Sequence, residues 1–91
     1  MRVVAVFIKD PNATLDYQID WSDWLNDDII IDSTWITEDG LTKVSDSFVD
    51  TVTTVWFSGG VDQSRYEATN RIMTANGRID DRTIRIKCKE K

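Results

Sequence analysis

Histidine is absent from the 91-residue chain, and cysteine occurs once, at Cys88. A single cysteine cannot close an internal disulfide. Without histidine or a second cysteine, zinc sites of the usual kind are excluded. The absence of histidine also removes the usual general base near neutral pH, and Cys88 has no histidine to activate it as a nucleophile. No apolar run approaches the ~20 residues needed to span a bilayer. Positive charge is scarce: 11 Lys and Arg stand against 16 Asp and Glu, for a formal net charge of −5. That balance argues against nucleic acid, whose binding needs cations to release phosphate counterions, and against an anionic membrane surface. Glycine is sparse, with four residues, two of them adjacent at Gly59-Gly60.

What is present is a globular composition, 41% hydrophobic and 30% charged, with four Trp. Large aromatics give a small core much buried area per residue. The length suits a single domain over residues 1–91. The opening Met1-Arg2-Val3-Val4-Ala5-Val6-Phe7-Ile8 is apolar for only six residues before Lys9-Asp10-Pro11, and no small-residue cleavage site follows. It reads as a strand rather than a signal peptide. The cysteine usage suits synthesis in a reducing cytoplasm.

Period-two alternation interrupted by turn residues runs through the chain. Leu15, Tyr17, Ile19 and Trp21 alternate with Asp16, Gln18 and Asp20, an apolar face against a polar one. Ser22 to Asn26 reads as one helical turn, with Ser22 as N-cap. Ile29 to Thr37 reads as a third strand. Ile30 and Trp35 have opposite parity there, which a bulge reconciles. Leu41 to Val44 reads as a short strand and Ser45-Asp46-Ser47 as a turn. Thr51 to Phe57 puts Val55 and Phe57 on one face, Thr54 and Trp56 on the other. Arg65 to Thr74 puts Tyr66, Ala68 and Ile72 opposite Glu67, Thr69, Arg71 and Met73. Asn76-Gly77 marks a hairpin before a last strand, Arg82 to Cys88.

About seven strands at this spacing predict an all-β, immunoglobulin-like sandwich of antiparallel strands. Trp35 on the third strand suits such a core, and Tyr66 near the start of the penultimate strand suits a tyrosine corner. A five-stranded oligonucleotide-binding barrel is the alternative fold, which the acidic charge disfavours.

No catalytic, cofactor or metal site is expected. Asp20, Asp23, Asp27, Asp28 and Asp32 are dense but do not follow EF-hand spacing, and read as solvated turns and caps. Ser58-Gly59-Gly60 lacks the ending of a phosphate loop. Asn12-Ala13-Thr14 matches a glycosylation sequon by chance. Cys88 reads as a small buried hydrophobe. Trp24, in a polar connection, and Trp56, on the face opposite Val55, are candidate interface residues; the plainer role for Trp24 is to cap one end of the sandwich. Arg82, Arg85, Lys87, Lys89 and Lys91 form a basic run. It is expected either to blunt an edge strand or to dock an acidic neighbour.

The segments Asp16-Tyr17-Gln18-Ile19-Asp20-Trp21-Ser22-Asp23-Trp24-Leu25, Ser33-Thr34-Trp35, Ser58-Gly59-Gly60, Thr69-Asn70-Arg71-Ile72-Met73-Thr74, Gly77-Arg78 and Asp81-Arg82-Thr83-Ile84, in that order, resemble small virion structural proteins of tailed bacteriophages. Many of these proteins are described as fibre–tail adaptors. The resemblance runs from about Phe7 to Lys89 and departs at Asp32 and in Val61-Asp62-Gln63-Ser64. It implies an immunoglobulin-like, non-enzymatic docking module present in several copies in the virion. Its partners would be other tail, fibre or capsid proteins. Capsid decoration is the alternative role within that class. A small enzyme or host-directed inhibitor is a third reading, for which no residue cluster speaks.

Overall fold

Strands form where β-branched and aromatic residues recur at every second position, because only then can one face leave water while the other remains in it. The structure, a computed structural model, describes residues 3–90; Lys91, the last member of the basic run, lies outside them. The elements are β1 (Val3–Lys9), β2 (Leu15–Asp20), α1 (Ser22–Leu25), β3 (Ile30–Thr37), β4 (Leu41–Val49), β5 (Val52–Gly59), β6 (Arg65–Thr74) and β7 (Ile79–Cys88). They make a four-stranded sheet in the order β1-β7-β6-β3 and a three-stranded sheet in the order β2-β5-β4.

The core lies between the sheets. Tyr17, Ile19, Val55 and Phe57 of the smaller sheet face Trp35, Tyr66, Ala68, Ile72, Ile84, Ile86 and Cys88 of the larger. Trp35 meets Phe57 edge-on at 6.3 Å between ring centroids. Ile30 and Trp35 are both buried, and the register slips between Ile30 and Asp32 as their parity requires. Tyr66 closes a corner: its hydroxyl accepts the Val61 N–H at 3.0 Å, five residues upstream.

Four expectations need correction. β1 pairs parallel to β7, so the sandwich is not wholly antiparallel. Ser45-Asp46-Ser47 is not a turn but the middle of β4. A register slip between Lys43 and Ser45 lets the strand run on to Val49, and Asp50, at φ +54°, makes the turn instead. Ser22 does not cap α1; Trp21 is at the N-cap, and the Ser22 N–H donates to Asp20 Oδ1 at 2.9 Å. The basic run is not an edge, because β7 lies between β1 and β6. Its cations therefore do not serve to blunt a free strand.

Candidate docking surfaces

The basic run splits into three environments. Arg82 folds inward over the Trp21 ring at 4.2 Å, donates to the Asp20 carbonyl and approaches Asp23 at 3.5 Å. Arg85 pairs with Glu67 at 2.7 Å, its cross-strand neighbour on the outer face. Lys87 and Lys89 are exposed.

Trp24 lies at one end of the sandwich, packed partly into it. Its ring meets Trp21 edge-on at 5.6 Å, and the Arg78 guanidinium stacks over it at 4.1 Å. Arg78 is held in turn by Asp28 Oδ2 at 3.1 Å and by the Leu25 carbonyl at 2.9 Å. This geometry fits the capping role. Trp56 is 41% exposed on the outer face of β5, between Asp16 of β2 and Ser45 of β4. A large ring standing on a polar, acidic face is the usual chemistry of an interface anchor.

The opposite outer face, that of the four-stranded sheet, carries Val4, Val6, Ile8, Ile36, Met73 and Ile79 as exposed apolar residues. Charged ladders cross it. Arg71 grips Asp81 with two bonds of 2.8 and 3.0 Å, and Arg85 reaches Glu67. The Arg71 bonds hold the Asp81 carboxyl below the ordinary carboxylate range against some burial. Under these ladders the Thr69 and Thr83 hydroxyls meet at 2.9 Å.

The acidic cluster does not converge. Asp28 is buried; that burial opposes its charge, but bonds from Thr74, Arg78, Ile29 and Asn76 outweigh it and lower its pKa. Asp20 is lowered mainly by the Ser22 N–H and hydroxyl. Asp32 accepts the N–H of Ser33. Cys88 is buried, and that burial raises its thiol pKa, with Asp62 adding and Lys9 opposing. Burial likewise pushes the Tyr17 hydroxyl up to about 12, helped by Cys88 and Asp16.

Two features escaped the alternation reading. Asn70, fully buried, uses every polar atom of its amide: Oδ1 accepts from Trp21 Nε1 at 3.1 Å and Thr53 Oγ1 at 2.7 Å, while Nδ2 donates to Ser33 Oγ and the Thr34 carbonyl. Lys9 is also fully buried, donating to the Gly59 and Asp10 carbonyls at 2.8 and 2.9 Å. Asn70 shares the parity of Ala68 and Ile72, and that was its signal. Lys9 gave none, because lysine at the end of a strand ordinarily points to water.

Two sheets packed face to face, with exposed apolar residues on both outer faces, define a small β-sandwich. Residues 9–87 match the family model of the podophage GP4 fiber-tail adaptor protein gp77, and the chain belongs to that family. No curated protein matches it.

Proposed function

We propose that the chain is a non-enzymatic virion component that joins a bacteriophage tail to a fibre or a neighbouring tail protein. It would act as one immunoglobulin-like domain repeated around the particle, made in the host cytoplasm and binding neither nucleic acid nor membrane. The observation that carries this reading is the family match together with the placement of Trp56. An adaptor needs separate surfaces for separate neighbours, and Trp56 stands on the sheet face turned away from Val6, Ile8 and Ile36. Repetition around an axis multiplies a modest contact at each copy into firm attachment.

Trp56→Ala tests it. The variant is expected to unfold within about 1 kcal/mol of the parent, as surface substitutions do, and to fall short of the parent in co-sedimentation with purified tails. A variant that does not fold, or that assembles as well as the parent, contradicts the role given to Trp56. Assembly onto tail-less expanded capsids would instead favour decoration of the shell.

A further inference from the structure

Six of the nine cations of the described residues are engaged. Lys43 pairs with Asp46, Arg71 with Asp81, Arg78 with Asp28, Arg82 with Asp23 and Arg85 with Glu67. Lys9 is buried against two carbonyls. Arg65, Lys87 and Lys89 remain, with no ion pair among the described residues. All three line one open cleft of about 740 Å³, together with Ile8, Gln63 and Ser64.

Arg65 and Lys87 are direct cross-strand partners of β6 and β7, and Lys87 is in turn opposite Ile8 of β1. Like charges directly opposite on one sheet face repel and weaken the pairing. Two carboxylates stand close by: Asp62, which accepts the Glu90 N–H at 2.8 Å and acts on Cys88 of the cleft lining, and Glu90, next to Lys89 in sequence. Among the described residues neither forms an ion pair with Arg65, Lys87 or Lys89. The cationic end is therefore left open to a negative group from outside, beside an apolar strip formed by Ile8 and Val6, 57% and 51% exposed.

We infer that this cleft docks an acidic, extended segment of a neighbouring virion protein, its carboxylates on Arg65, Lys87 and Lys89 and an apolar side chain against Ile8. This deepens the adaptor reading and rests on it for the identity of the neighbour as a virion protein. The negative charge of the chain as a whole disfavours a second copy as the occupant, and the complementary charge of an acidic segment raises both on-rate and register specificity.

The probe is a blocked peptide of alternating Glu and Val, with its Lys–Val counterpart as control, titrated into the isotopically labelled full chain. Binding of the Glu peptide is expected to shift the amides of Ile8, Ser64, Arg65, Lys87 and Lys89, and to weaken with salt. The double variant Arg65→Glu, Lys87→Glu is expected to lose about tenfold or more in affinity. Lys87→Gln, a milder change, should lose part of it should the double variant fold poorly. No shift at these amides, or equal binding of the Lys peptide, overturns the inference. Sedimentation that shows self-association abolished by the double variant also overturns it, since the occupant is then a second copy. Failure of the peptide while the chain still locates to the tail retires this inference alone; absence of the chain from the tail retires the adaptor reading.

Discussion

Trp21 and Asn70 join the two sheets through a polar bond inside the core: the indole N–H donates to the Asn70 amide oxygen at 3.1 Å, and Thr53 donates to the same oxygen at 2.7 Å. Trp21 directly follows β2 of the smaller sheet, and Thr53 belongs to β5 beside it. Asn70 belongs to β6 of the larger sheet and is tied on its other side to Ser33 and Thr34 of β3. One amide thus bonds groups that belong to both sheets. A buried polar network of this kind stabilises only when every member is satisfied.

Asn70→Ala leaves the Trp21, Thr53 and Ser33 polar groups without that partner. The expected cost is about 2–4 kcal/mol in urea unfolding. Because Trp21 and Asn70 share the bond, Trp21→Phe combined with Asn70→Ala should cost less than the two singles added together. Strict additivity would show that the bond does not couple the sheets.

The glycines separate backbone strain from crowding. Gly77, at φ +85°, has open space where a Cβ would stand, whereas at Gly60, φ +96°, a Cβ would run into the Cys88 sulfur. Gly77→Ala is therefore expected to cost about 1–2 kcal/mol, the conformational part alone. Gly60→Ala should cost about 2–5 kcal/mol, since crowding adds to it. Pairing Gly60→Ala with Cys88→Ala should recover the crowding part. Equal costs at Gly60 and Gly77 would contradict the close approach.

Acid should loosen the end of the sandwich near Trp24. Asp28, lowered by its bonds to Thr74, Arg78, Ile29 and Asn76, contributes stability that is fully present above the ordinary carboxylate pKa of about 3.9 and is lost as pH falls through its own lower value. Asp20 and Asp81, also lowered, act in the same direction. Asp28→Asn should be less stable than the parent at pH 7, with a smaller loss on acidification below pH 4. Thermal melts across that range check it; a parallel decline in both proteins would contradict it.

Alternation revealed β2, β5, β6 and β7 because each buries one face, and a half-buried strand writes its orientation into every second residue. It revealed the slip in β3 for the same reason, through Ile30 and Trp35. It failed at β4, where most residues on both faces are exposed and Ser45-Asp46-Ser47 carries no period to read. Pairing was less legible than strand position. Nothing local to Val3–Lys9 says that β1 lies parallel to β7, so the basic run could be read as an edge when it is an interior strand. Trp56 could be placed outward by parity with Val55 and Phe57. Arg82 shares the parity of Ile84, Ile86 and Cys88, which directs it away from the outer face that carries Arg85 and Lys87, but its partner Trp21, just past β2, is set by how the two sheets pack and not by local sequence.

Cryo-electron microscopy of the intact particle is the direct test of the proposed role, in which the chain joins parts of the tail. Density for the sandwich is expected at the tail or neck in threefold, sixfold or twelvefold array, with Trp56 against one neighbour and the Arg65–Lys87 cleft against another. Density spread over the icosahedral shell, or none in the particle, would contradict it.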